Sequence, residues 1–171
     1  KKTFNLALSN TNVNQITALD ISAQALNYAR QITPDALKNK TKYVQASIMN
    51  TPFKARSFDL VWNSGVIEHY SEAEIKKIIR EMFRITKKNG YIVVAIPNMK
   101  NIAVIKAAFL GLPLCRKYLK FIKGYRNTTE ILYKDKTIKN ILQDTLQRDV
   151  VLKYAGGAGL IGVPDFIIKG L

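Results

Sequence analysis

The chain has 171 residues, 47% of them hydrophobic and 23% charged, the length and balance of a single globular domain large enough to bury a core. A lone cysteine, Cys115, excludes an internal disulfide framework and suggests a reducing, cytoplasmic setting, and no apolar run approaches the roughly 18 residues that predict a membrane-spanning helix. The net charge of +15 is compatible with an anionic partner, yet the lysines are spread along the chain, so a solvated basic surface is the favoured reading.

The opening Lys1-Lys2-Thr3-Phe4 is unlike a signal peptide, and a first residue other than methionine implies that the chain begins inside a longer protein. Residues 3–9 suit either an edge strand, from the alternation of Phe4, Leu6 and Leu8, or a short helix. Ile16-Thr17-Ala18-Leu19 reads as a buried strand ending at Asp20. Ser22 then caps a helix with Ile21, Ala25, Ala29 and Ile32 on one face, closed by Pro34. Tyr43-Val44-Gln45 is a short strand followed by a loop over residues 46–52.

Residues 57–70 (SFDLVWNSGVIEHY) are the centre of the pattern. Phe58–Trp62 is too short and too rich in strand formers for a helix, and it breaks at Asn63-Ser64-Gly65. Such a strand delivers its carboxyl end into a loop, where open α/β sheets bind ligands. Ser71 and Glu74 then form a capping box, and Ile75, Ile78, Ile79, Met82 and Ile85 give the helix an apolar stripe. Lys87-Lys88-Asn89-Gly90 reads as its stop, with cations at the negative end of the dipole and glycine beyond. A β-rich run over 91–96 ends at Pro97. Strands alternating with helices, and apolar on both faces, predict a parallel sheet with crossover helices.

Beyond residue 100 the character changes. Residues 102–110 form a strongly apolar helix candidate, whose alternatives are a membrane-surface segment or a lid, with core packing favoured. Residues 116–139 carry the densest positive charge, the first place to look for an anionic ligand. Ile138, Ile141, Leu142 and Leu146 return to helical spacing, Val150-Val151-Leu152 starts a late strand, and 165–169 holds part of another. Gly157-Ala158-Gly159-Leu160-Ile161-Gly162 matches the dinucleotide pattern, but only nine residues follow and Pro164 interrupts them, so it reads as a loop.

Two positions invite chemistry on their own. A carboxylate at the end of a strand, such as Asp20, suits the paired hydroxyls of a ribose and equally suits capping its own helix. His69, the single histidine, titrates near neutrality and could act as a general base, although packing beside the helix start is the favoured role. With one histidine and one cysteine, a transition-metal site is not expected.

Together these stretches resemble the class I S-adenosylmethionine-dependent methyltransferases that act on small molecules. ITALDIS at 16–22 resembles the second strand of that family, QASIMNTPF at 45–53 the loop after its third, SFDLVWNSGVIEHY its fourth strand and loop, and ITKKNGYIVVAIPN at 85–98 its fifth. The resemblance spans residues 3–98, with a weaker echo in 125–157. It implies a doubly wound, Rossmann-like, mostly parallel α/β sheet that in this chain lacks its first strand and glycine-rich loop. Those would fall before Lys1, with 3–9 as the helix that follows, and the final strand pair would be incomplete at Leu171. The implied organisation is one methyltransferase domain: a cofactor half at 1–98, a substrate-side or lid segment at 99–148, and C-terminal strands at 149–171.

The resemblance also assigns roles. Asp20 would hold the cofactor ribose, Ile21 and Ile48 would flank the adenine, and Ser47, where the family has an aspartate, would address its amino group without charge assistance. Asn63, Ser64 and Gly65 would border the amino-acid part of S-adenosylmethionine and the substrate opening. His69 and Tyr70 are the candidates for orienting or deprotonating an acceptor. The expected activity is methyl transfer to a small, partly apolar acceptor, leaving S-adenosylhomocysteine. The alternatives are a non-catalytic basic module binding protein, membrane surface or RNA, and an RNA methyltransferase. The latter is disfavoured because Asn63-Ser64-Gly65-Val66 is not the Asn-Pro-Pro-aromatic loop used on base amines. A nicotinamide dehydrogenase is disfavoured by the segment after Asp20.

Overall fold

A computed structural model describes residues 12–96, 131, 133–155 and 163–169. The expected elements at 3–9 and 102–110, the loop at 157–162 and most of the basic stretch lie outside the described residues. The chain divides into two compact units, residues 1–52 and 53–171.

In the first unit, strand β1 (Ile16–Asp20) leads into helix α1 (Ala23–Ile32), a short α2 (Asp35–Lys38), and strand β2 (Thr41–Gln45). β1 and β2 run parallel, from Ile16 opposite Thr41 to Asp20 opposite Gln45, the arrangement a helical crossover imposes. Ser22 caps α1, its hydroxyl accepting the Ala25 N–H at 3.2 Å. The buried centre of α1 is Leu26, with Ala25, Ala29 and Ile32 half-buried around it. Ile21, expected on that face, is 69% exposed, because it precedes the cap and lies outside the helix. The strand at 16–19, expected to be buried, is half-buried along its whole length. Among the described residues its sheet has two strands, and a two-stranded ribbon cannot enclose its own residues.

In the second unit, β3 (Phe58–Ser64), a 3₁₀ turn (Ile67–His69), α3 (Glu72–Ile85), β4 (Thr86–Ala95), α4 (Asp135–Leu146), β5 (Val151–Ala155) and β6 (Val163–Lys169) follow in order. The sheet order is β3-β4-β6-β5. β3 and β4 are parallel, whereas β6 runs antiparallel to both β4 and β5. The parallel pair carries the crossover helix α3, and of the later strands β6 alone is reversed, β5 running in the same direction as β3 and β4. Ile75, Ile78 and Ile79 are fully buried, and Met82 and Ile85 nearly so, so the predicted stripe is the inner face of α3. Fully burying each such side chain contributes about 1.5–3 kcal/mol. α4 packs against α3 and buries Ile138, Ile141 and Leu142.

Three local expectations are corrected. The break after β3 comes later than Asn63, since Asn63 and Ser64 still pair with Val94 and Ala95. Gly65, with φ at 72°, is the residue that turns the chain. The Lys87–Gly90 stretch is not the stop of α3, which ends at Ile85. The carbonyls at that end are satisfied otherwise: Thr86 Oγ1 donates to Met82 O at 2.7 Å, and the Arg56 and Ser57 N–H groups donate to Arg84 O and Ile85 O at 2.9 and 2.7 Å. Lys87 instead reaches Asp59 at 2.8 Å. Finally, the strands of this unit are not covered on both faces. Ile92 and Val94 share one face of β4 and are fully buried, while Leu60 and Tyr91, opposite one another, are 43% and 47% exposed. Among the described residues no helix is long and apolar enough to cross a membrane.

Candidate functional site

The candidate residues gather at the carboxyl ends of the parallel strands, one group in each unit. In the first unit the in-register end of β1 and β2 sets Asp20 beside Gln45. Two hydrogen bonds then lace the loops that leave these strands: Ala46 N–H donates to Asp20 O, and Gln45 Nε2 to Ile21 O, both at 3.1 Å. Asp20 and Ile21 are thereby held next to the turn that carries Ser47 and Ile48. That turn is closed by the Asn50 N–H on Ser47 O at 3.2 Å. Asp20 uses Oδ1 to accept the Ser22 N–H at 2.8 Å, bracing the residue that caps α1 rather than capping the helix itself. Only that oxygen is engaged in the bond. Ser47 Oγ accepts the Met49 N–H at 3.2 Å, and its hydroxyl keeps a second lone pair and a donor. Ile21, exposed and immediately after Asp20, is an apolar surface at the mouth of this group.

Gln45 has a bracing role that sequence reasoning missed. Its position as the last residue of a strand paired with Asp20 was the available signal.

In the second unit β3 carries Asn63 and Ser64 to its carboxyl end, and the Gly65 N–H closes onto Ala95 O at 3.1 Å. Asn63 is 4% exposed, and neither its Oδ1 nor its Nδ2 has a hydrogen-bond partner. A buried carboxamide left unpaired costs about 1–3 kcal/mol, and such a cost marks a place where a ligand group can be accommodated. The 3₁₀ turn follows, with Ile67 and Glu68 buried, His69 exposed and Tyr70 half-buried. His69 is therefore exposed rather than packed beside the helix start as favoured from sequence.

Tyr133, which no local pattern marked, donates its hydroxyl to Tyr70 O at 2.9 Å across 63 residues. Burial, and then the carboxylates of Glu72 and Glu74, push its pKa above the ordinary value, so the phenol stays a donor through the neutral range. Among the described residues no group of three or more His, Cys, Asp or Glu side chains could hold a metal ion.

The family model described as a methyltransferase domain matches residues 2–94. The chain belongs to the methyltransferase-domain family. The match takes in both loop groups, from Asp20 to Tyr70, and ends within β4. The chain is 28% identical over 109 residues to a malonyl-[acyl-carrier protein] O-methyltransferase of Erwinia billingiae, a match covering 64% of this chain and 41% of that protein. It is 34% identical over 76 residues to an uncharacterised Haemophilus influenzae protein, covering 44% of this chain and 30% of the other. The chain thus spans less than half the length of these relatives. Among solved structures it superposes on an S-adenosylmethionine-dependent methyltransferase of Methanosarcina mazei with a TM-score of 0.63 at 18% identity, over 98% of this chain and 86% of that one. Likeness at that identity establishes the fold, a methyltransferase-like α/β architecture.

Proposed function

We propose that this chain is the catalytic domain, or part of it, of an enzyme that transfers a methyl group from S-adenosylmethionine to a small, partly apolar acceptor. The observation that carries the reading is the lacing of Asp20 and Ile21 to the Ser47–Ile48 turn at one end of β1 and β2. A carboxylate, a hydroxyl and two apolar side chains in that order suit a ribose, an exocyclic amine and the two faces of an adenine. The free capacity of Asp20 and Ser47, and the unpaired carboxamide of Asn63, fit a polar ligand of this kind.

When bound, S-adenosylmethionine supplies a sulfonium methyl already activated for displacement. The chain then has to bind, align and exclude water. Asp20 would hold the ribose hydroxyls and Ser47 the adenine amine, with Ile21 and Ile48 against the ring. Asn63, Ser64 and Gly65 would border the amino-acid portion and the acceptor entrance. Exposed at the end of the 3₁₀ turn, His69 would orient the acceptor or receive its proton, with Tyr70 beside it. Alignment of reactants alone can supply about 7–11 kcal/mol of barrier reduction, which is why no buried acid–base pair is required. The Erwinia relative, named for O-methylation of malonyl-[acyl-carrier protein], makes an oxygen acceptor the first class to test.

Calorimetric titration of the full-length protein with S-adenosylmethionine tests the reading. Binding is expected, and Asp20→Asn should weaken it about tenfold or more, as befits the loss of a hydrogen bond to a charged group. That variant keeps an oxygen for the Ser22 N–H, and the Ser22 hydroxyl that caps α1 is untouched. An absence of binding at millimolar cofactor would sink the proposal.

A further inference from the structure

The turn that presents His69 is short, and its internal hydrogen bonds account for only part of its backbone. His69 N–H donates to Val66 O and Tyr70 N–H to Ile67 O, both at 3.1 Å. Two further carbonyls, those of Glu68 and Tyr70, flank His69 and point outside the turn's own pattern. Both are taken by one distant stretch of chain. Ile131 N–H donates to Glu68 O at 2.7 Å, and the Tyr133 hydroxyl donates to Tyr70 O at 2.9 Å. Ile131 is 45% exposed, so what it contributes at this place is its amide rather than apolar burial. Tyr133 is half-buried, and its raised pKa leaves the phenol a donor.

We propose that Ile131 and Tyr133 form a strap that sets the position of the His69 turn, with Tyr133 as a positioning residue for the acceptor side of the site. The proposal rests on the functional reading above for what the turn does, and on the hydrogen bonds alone for how it is held. Apart from the strap, the turn is anchored at its ends and by the burial of Ile67. One end anchor is the Gly65 N–H on Ala95 O; the other is the Ser71 amide and hydroxyl on the Glu74 carboxylate, at 2.9 and 2.6 Å. With the strap, the carbonyls on either side of His69 are fixed, and the direction in which the imidazole leaves the backbone is fixed with them. Residues 131 and 133 belong to the 99–148 stretch expected to form the substrate side or a lid. The strap therefore ties the geometry of the turn to that stretch.

His69 is the single histidine of this sequence, and its ring C–H resonances in the longer protein are identified by their loss in His69→Gln. In the full-length protein, Tyr133→Phe keeps the ring and its packing and deletes one donor. Amide exchange over residues 66–71 is expected to quicken roughly fivefold, the equivalent of one neutral hydrogen bond. The His69 resonance should shift, and protection of the α3 core around Ile78 should stay as in the parent. Ile131→Pro, which removes the other donor at an exposed position, should give the same signature. Unchanged exchange at 66–71 and an unmoved His69 resonance in both variants would overturn the strap. So would a uniform loss of protection that includes α3, since that is the mark of general destabilisation. Calorimetry with S-adenosylmethionine separates the two readings. Affinity in Tyr133→Phe should stay within about twofold of the parent, because Asp20 and Ser47 are untouched. A parent that binds none would remove the acceptor-side role while the exchange data still decide whether the strap exists.

Discussion

Gly90 and Gly65 are both indispensable in this chain, for opposite reasons. At Gly65 the backbone is the constraint: φ is 72°, a conformation that costs an L-residue roughly 1–2 kcal/mol, although an added Cβ would find only ordinary contact with Glu68 Oε1 at 3.6 Å. At Gly90 the constraint is space. An added Cβ would lie 2.8 Å from both the Asp59 carbonyl oxygen and Thr86 Cγ2, and 3.1 Å from the Phe58 oxygen. Two of these three neighbours are backbone atoms of β3, which cannot yield without disturbing the β3–β4 ladder. Gly90 also sits where the register jumps, since Phe58 pairs with Thr86 but Leu60 with Tyr91. The bulge needs a residue without a side chain against β3. Gly90→Ala is therefore expected to lower stability by about 1–3 kcal/mol in urea denaturation, the usual cost of overpacking. A midpoint equal to that of the parent would contradict the close approach.

At the scale of elements, α3 shows how far local chemistry goes. Its stripe and its start were legible because both depend on neighbours within four residues. Ser71 and Glu74 meet as the pattern requires, and the hydrogen bonds from Ser71 hold the Glu74 carboxyl below its ordinary value of 4.5. A depressed carboxylate stabilises the fold above its unfolded pKa, and that contribution is lost as the pH falls through the folded value. Thermal melts of the parent and Glu74→Gln should therefore differ most above pH 4.5 and converge as the medium is acidified below it. A gap that widens in acid would show that the capping carboxylate is not the cause. The end of α3 was not legible in the same way. Its last carbonyls are satisfied by the amides of Arg56 and Ser57, which are remote in sequence. No local rule reveals a partner that arrives from the preceding loop.

For the whole molecule, the dominant quantity is the net charge of +15. Most of the described cations are exposed, and the pairs Lys38 with Asp35, Lys76 with Glu72 and Lys87 with Asp59 are exposed, whereas Arg84 meets the largely buried Glu81. Exposed pairs contribute little, so they do not offset the repulsion among the remaining cations. Self-repulsion of this kind destabilises the compact state and is screened within a Debye length of roughly 10 Å at 0.1 M salt. The melting temperature of the full-length protein is expected to rise by a few degrees as sodium chloride is raised from low to physiological concentration. A flat or falling curve would mean that the charges are already balanced in the fold.

What the sequence determined by itself is the succession of elements and the positions of their chemistry. Short apolar runs rich in strand formers, the Ser22 and Ser71 caps and the stripe of α3 are set by near neighbours, so they can be read without knowing the rest. The alignment of Asp20, Ile21, Ser47 and Ile48 at one sheet end followed from parallel strands of equal length, and it too was within reach. Tertiary structure alone decided which faces are covered, where β3 ends, and what holds the His69 turn. The half-burial of β1, the exposure of Leu60 and Tyr91, the bulge at Gly90 and the reach of Tyr133 to Tyr70 all depend on residues tens of positions apart. Their contacts arise only when the strands are assembled, and no window of neighbouring residues contains them.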